Sequence, residues 1–255
     1  MSASSVSSGR FVWYELMTTD TKAAQEFYGS VVGWGTQDGP VPDMSYTLFT
    51  AGGTPVGGLM DHGAPPSWIG YVGVDDVDEV AGQVTSLGGS VCVPPTDIPT
   101  VGRFAVVADP QKVVFALFST AEPGADEPPA PAPGTPGHIG WHELHAADGQ
   151  TAFGFYGEMF GWQKDHEFDM GAMGVYQIFA VAGTPAGGMF TKPPMEPVPY
   201  WLYYFNVADI DAASERVTAG AGKILNGPMQ VPGGDWIIQG MDPQGAMFAL
   251  VGKRS

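Results

Sequence analysis

Two carboxylates stand in stretches where a carboxylate is costly. Glu15 interrupts the apolar and aromatic run Phe11–Met17, and Glu143 interrupts the run that opens at Trp141. Burial disfavours the charged form of such a group. It can then serve as a general acid or base, or as a hydrogen-bond acceptor for a bound molecule. The structural alternative is a salt bridge or a bond to backbone. His142, Glu143 and His145 form the second cluster. In a strand, residues two apart share a face, so Glu143 and His145 point the same way as Trp141 while His142 points oppositely. His138 and His142 share a face but are about 13 Å apart along the strand, too far to hold one ion. Glu143 and His145 therefore remain as a two-ligand metal possibility without a third donor. Otherwise His145 bonds locally and His142 packs on the outer face. Arg103, one of 10 basic residues, could grip a carboxylate bidentately or pair with an Asp or Glu of the chain, and the acidic composition favours the pair. Cys92 has no base beside it and is expected to be an inert core residue. The chain has no glycine loop of the phosphate-binding kind and no Gly–x–Ser–x–Gly.

These residues are positioned by a repeat. Trp13–Trp34 aligns without gaps to Trp141–Trp162, with the Trp, Glu–Leu, Asp, Phe–Tyr–Gly and Gly–Trp in the same places. Tyr46–Met60 then matches Tyr176–Phe190, and Trp68–Phe118 matches Trp201–Val251. A self-match this long is a tandem duplication. The pattern predicts domains at 11–118 and 138–253, joined by a proline-rich linker over 119–137 and preceded by a disordered tail over 1–10.

Within each copy the order strand, helix, short strands occurs twice. Phe11–Met17 reads as a strand. Asp20 caps a helix over Thr21–Val32 with Ala24, Phe27, Tyr28 and Val31 on one face. Strands follow at Tyr46–Thr50 and Pro55–Met60. The order restarts with a strand at Ile69–Val74 and a helix capped by Asp76 and Asp78, whose apolar face is Val80, Val84 and Leu87. Strands at Val91–Val93, Arg103–Ala108 and Val113–Phe118 complete it. Gly57–Gly58 and Gly187–Gly188 fall inside strands, where they permit close backbone approach or a bulge.

The net charge of −17 argues against nucleic acid and against an anionic membrane surface. No apolar run approaches the length of a membrane span. A single cysteine and an N-terminus without an apolar core fit a cytoplasmic location.

The paired βαβββ units, the Phe–Tyr–x–x–x–x–Gly–Trp at the helix end, the Val–Asp–Asp–Val–Asp run at 74–78 and the Asp–Pro–x–x–x–x–Phe–x–Leu ending resemble the vicinal oxygen chelate superfamily. That superfamily includes glyoxalase, the bleomycin resistance proteins and the extradiol dioxygenases, and the fused arrangement is similar to its two-domain glyoxalase-like subgroup. The resemblance implies an α+β fold in which each half is two βαβββ units curled into a half-open barrel. It also implies a cleft that in enzyme members holds one divalent metal on His and Glu. Carried over position by position, the ligand set falls on Trp13 and Trp141, Ile69 and Leu202, and Ala116 and Ala249, with a fourth position on the Gly-containing strands. None of these ligates a divalent cation. The expectation is a protein without the usual metal that binds a small hydrophobic or aromatic molecule. Trp13, Trp141, Trp68, Trp201, Tyr71, Tyr204 and Arg103 would form its walls, with Glu15 or Glu143 as polar anchor. The alternative is a lyase- or dioxygenase-class enzyme using a rearranged metal at Glu143 and His145, or acid–base chemistry at Glu15 and Glu143. Either a monomer with an internal pseudo-dimer or a homodimer fits the duplication.

Overall fold

The computed structural model describes residues 8–39, 46–61, 63–121 and 131–254. Residues 1–7 of the expected tail and 122–130 of the expected linker lie outside these. Of the tail, Gly9 and Arg10 are bound to backbone, through Gly9 N–H to Gly73 O and Gly73 N–H to Arg10 O, each at 2.8 Å.

The fold is α+β, with four repetitions of one βαβββ unit. The elements of the first are β1 (Phe11–Met17), α1 (Thr21–Val31), β2 (Gly35–Asp38), β3 (Tyr46–Ala51) and β4 (Thr54–Met60). The second has β5 (Ser67–Gly73), α2 (Val77–Ser86), β6 (Ser90–Ile98), β7 (Gly102–Ala108) and β8 (Val114–Thr120). The second copy repeats this with β9 (Ile139–Ala146), α3 (Gly149–Phe160), β10 (Gln163–Asp169), β11 (Val175–Val181) and β12 (Thr184–Thr191). It ends with β13 (Tyr200–Asp209), α4 (Ile210–Ala219), β14 (Lys223–Gln230), β15 (Trp236–Met241) and β16 (Met247–Lys253). In every unit the last strand runs parallel to the first and the rest are antiparallel, giving the orders β2-β3-β4-β1, β6-β7-β8-β5, β10-β11-β12-β9 and β14-β15-β16-β13. A parallel return needs a crossover, and the helix supplies it.

Each helix starts on an aspartate whose side chain accepts a backbone N–H three residues on: Asp20 from Ala23, Asp76 from Glu79, Asp148 from Thr151 and Asp209 from Ala212. Asp76 alone caps α2, and Asp78 lies in its first turn. Helix α1 buries Ala24, Phe27, Tyr28 and Val31 as its spacing predicts. Helix α2 instead buries Val77, Ala81 and Val84, leaving Val80 and Leu87 half-buried. The buried stripe is turned toward Ala81, whose small side chain suits a close approach to the sheet. Strands β2 and β10, absent from the sequence expectation, are exposed along their whole length. Cys92 is exposed on β6, a mostly exposed strand, and not in the core.

The chain forms two compact units, and four of the five boundaries between them, after Val12, Ile69, Trp141 and Trp201, fall inside strands. One contains α2 with β6–β8 and α3 with β10–β12. The other contains α1 with β2–β4 and α4 with β14–β16. Each unit thus joins half of one copy to half of the other. In one, Trp34 donates its indole N–H to Gly137 O at 2.7 Å, and in the other Trp162 donates to Gly9 O at 2.7 Å.

Candidate functional site

On β1 the pleat sends Tyr14 and Leu16 into the core and leaves Trp13 and Glu15 half-buried on the other face. The Trp13 indole N–H donates to the Tyr46 hydroxyl at 3.0 Å, and that hydroxyl is hydrogen-bonded to Glu15. The reach is long, since β4 lies between β1 and β3. It is possible because the residue opposite Glu15 on β4 is Gly58, where a Cβ would overlap the Tyr46 hydroxyl and ring. The tyrosine therefore lies across a glycine to touch a carboxylate on the far strand. Burial and the charge of Glu15 push the Tyr46 phenol well above its usual range, so it stays a proton donor.

The second copy repeats the device and adds to it. The Tyr176 hydroxyl donates to Glu143 Oε2 at 2.9 Å, across Gly188, which pairs with Glu143. Where the first copy has Met17, this one has His145, 3% exposed. Its Nε2 lies 2.9 Å from Glu143 Oε1 and its Nδ1 2.8 Å from Glu196 Oε2. With a carboxylate at each nitrogen, both nitrogens donate, and the ring is an imidazolium. Burial opposes that charge, but Glu143 and Glu196 together outweigh it and push the pKa up to about 9. Tyr200 stacks on the imidazole at 4.5 Å, and Phe190 meets it edge-on at 4.6 Å. His142, on the opposite face, stacks on Phe11 at 4.3 Å, and its Nδ1 lies 2.6 Å from Ala186 O. Burial pushes its pKa down to about 4, the bond to Ala186 countering only in part, so it is neutral at pH 7 with Nδ1 as donor.

This assignment carries a pH signature. The folded pKa of His145 lies above the ordinary 6.5, so its contribution is full below pH 6.5 and fades as pH rises toward 9. The expected loss is on the order of 3 kcal/mol. Urea unfolding of the wild type should weaken across that interval, and His145→Met, which restores the first copy's residue, should abolish the slope. The titratable groups on the ring are Glu143 of β9, Glu196 of the β12–β13 connection and Tyr200 of β13; Tyr176 reaches Glu143, and Lys192 reaches the Glu196 carbonyl. A wild-type stability flat from pH 6.5 to 9 would contradict the imidazolium.

The remaining predicted residues are dispersed. Trp68 and Trp201 do not form walls: each lies on the helix-covered face, one residue out of phase with Ile69 and Tyr71 or with Leu202 and Tyr204. Trp68 donates to the Tyr28 hydroxyl at 2.9 Å, and Trp201 to the Tyr156 hydroxyl at 3.1 Å. Those hydroxyls donate to Asp242 and Asp109. Tyr71 is buried on β5, and Tyr204, buried on β13, accepts from Gln239 Nε2 at 2.7 Å. Trp141 is half-buried on β9. Arg103 pairs with Asp78 and Asp97 at 2.7 and 2.6 Å. Tyr46, Tyr176, Glu196 and Tyr200 were missed from sequence. The visible signal for the tyrosines was that both copies keep a Tyr at the start of the strand facing the Gly–Gly pair.

The residues present do not fit a divalent metal of the family kind. Ile69, Ala116, Leu202 and Ala249, at expected ligand positions, are buried apolar side chains. Glu143 and His145 already spend their facing atoms on each other, and the far nitrogen of His145 is on Glu196. Among the described residues no group of three or more His, Cys, Asp or Glu has an arrangement that could hold a metal ion. A hollow of about 270 Å³ lies beside Asn206, Asp235 and Lys253, and none of the candidate residues lines it.

The sequence matches the family model described as Glyoxalase/Bleomycin resistance protein/Dioxygenase superfamily over residues 135–250, and Bleomycin resistance protein-like N-terminal over residues 10–52. Among curated relatives it is 32% identical over 248 residues to CFP32 of Mycobacterium bovis, a glyoxylase by name, covering 94% of this chain and 93% of that one. It is 31% identical over 266 residues to the anthracycline biosynthesis protein DauV of Streptomyces sp. strain C5, covering 96% and 94%. Among solved structures it is similar to the Mn(II)-bound glyoxalase of Novosphingobium aromaticivorans, with 19% identity, a TM-score of 0.66 and coverage of 99% and 84%. No helix among the described residues is long and apolar enough to cross a membrane.

Proposed function

We propose, on the premise that this chain belongs to the Glyoxalase/Bleomycin resistance protein/Dioxygenase superfamily, that it binds a small planar aromatic molecule through its tyrosine–carboxylate pairs and without the usual metal. The observation that carries this reading is the pair itself, laid over a glycine in both copies where the family's ligands are replaced by Trp and apolar residues. In the first copy Trp13 offers a half-buried aromatic face beside Tyr46 and Glu15, and in the second Tyr200 and Phe190 stand beside Glu143 and His145. Aromatic faces with a few fixed polar groups suit flat ligands with hydroxyl or carbonyl edges. The likeness to a protein named for anthracycline biosynthesis supports a fused-ring aromatic. Domains at 11–118 and 138–253 would each contribute one site.

Tyr46→Phe removes the hydroxyl that links Trp13 to Glu15. It should weaken binding of a hydroxylated anthraquinone about tenfold, as one hydrogen bond to a charged group would. Crystals soaked with the same compound should show it against Trp13 and Tyr46, and both places filled by protein side chains would end the proposal.

A second reading has its own observation. Glu143 lies between two protons, one on Tyr176 and one on His145, which is a geometry for acid–base chemistry. A lyase-class turnover would then fall steeply in Glu143→Gln, and turnover unchanged by that substitution would remove the carboxylate from any reaction.

A further inference from the structure

The two copies diverge at three places that converge on one ring. Met17 becomes His145 and Ser67 becomes Tyr200. The short connection after β4 becomes the longer 192–199 segment, which delivers Glu196. Together they place an imidazolium beside the carboxylate that the first copy also has, stack a ring on it, and close its outer nitrogen with a second carboxylate.

The two carboxylates on His145 are not equivalent. Glu143 is built into β9, 8% exposed, with one oxygen on His145 and the other on Tyr176. Glu196 comes from a connection outside any strand. Its side chain keeps 24% exposure, and Met195 beside it is 82% exposed. The segment is anchored at Lys192, whose N–H is on Ala146 O at 2.8 Å and whose ammonium donates to the Glu196 carbonyl. The carboxylate on Nε2 thus belongs to the sheet, while the one on Nδ1 comes from a partly exposed connection.

We infer that Glu196 is a built-in stand-in for the acidic group of the second copy's ligand, and that this site takes an aromatic organic acid whose carboxylate replaces Glu196 on Nδ1 of His145. The inference rests on the reading of these sites as holders of planar aromatic molecules and names the ligand class of one of them. The ring of such an acid would lie beside Tyr200 and Phe190, which already flank the imidazole. In the first copy Met17 and Ser67 stand in place of His145 and Tyr200, so its ligand is the uncharged one. A carboxylate on a buried imidazolium makes a charge-assisted bond, and Glu196 competes for it within the same molecule.

The test is calorimetric titration of the full chain with 2-naphthoate and its uncharged analogue 2-naphthamide. Glu196→Gln removes the competing charge and should tighten naphthoate about tenfold or more while leaving naphthamide within about twofold. Glu196→Asp, which shortens the reach, should fall between. His145→Met in the Glu196→Gln background should abolish the gain. Naphthoate no tighter in Glu196→Gln, or naphthamide tightened equally, would overturn the inference. Binding of naphthamide to the unaltered protein reads the aromatic-site proposal separately, so the two can fail independently.

Discussion

Asp242→Ala is expected to cost about 4 kcal/mol of folding stability, because one buried carboxylate satisfies four donors. Its Oδ1 accepts the backbone N–H of Gln244, Gly245 and Ala246 at 3.0, 2.8 and 2.8 Å. Its Oδ2 accepts the Tyr28 hydroxyl at 3.1 Å, and that hydroxyl accepts the Trp68 indole N–H at 2.9 Å. The chain of bonds ties the β15–β16 turn to α1 and β5 in one compact unit. Asp109 does the same for Tyr156 and Trp201 in the other. Burial holds the Asp242 carboxyl above its usual range, with its hydrogen bonds countering only in part. Alanine would leave all four donors without an acceptor. Asp242→Asn keeps an acceptor oxygen and should cost about half as much. Urea titration at pH 7 measures both, and an alanine cost below about 1 kcal/mol would mean that water replaces the carboxylate at no penalty.

The second large effect separates two adjacent glycines. A Cβ on Gly187 would drive into the backbone carbonyl of His142 on the parallel neighbour and into the Phe179 ring, neither of which can retreat without parting the strands. Gly187→Ala should cost about 3 kcal/mol or more. The three atoms nearest to a Cβ on Gly188 all belong to the outer ring of Tyr176, which can swing away. Gly188→Ala should therefore cost about 1 kcal/mol while breaking the Tyr176–Glu143 bond, and ligand affinity should fall about tenfold. Thermal unfolding and calorimetry on the same two proteins resolve the contrast. Equal stability losses would show that the tyrosine is as fixed as the backbone.

The duplication and the aspartate caps were legible in the sequence because both are local or self-referential. A helix stripe, a cap three residues from its partner and a repeated Trp–x–Glu–Leu need no knowledge of the fold. Strands β2 and β10 were invisible because, exposed along their length, they carry no buried–exposed alternation for hydropathy to reveal. Cys92 was misplaced for the same reason, since β6 turns most of its residues to solvent. Trp68, expected as a wall of the cleft, bonds Tyr28 of α1 and stands one residue out of phase with Ile69, and a one-residue step along a strand is enough to reverse the face. The Tyr46–Glu15 contact spans three strands and depends on a glycine between them, so no spacing rule points to it. The swap of Met17 for His145 was plain in the sequence, but its partner Glu196 lies 51 residues away in a connection with no periodicity.

The most direct test of the account is calorimetric titration with a dihydroxyanthraquinone of the unaltered chain, Glu15→Gln and Glu143→Gln, each first shown to be folded. The account predicts saturable binding to the unaltered protein, weakened about tenfold or more at the site whose carboxylate is neutralised. Absence of saturable binding, or binding untouched by either substitution, would contradict it.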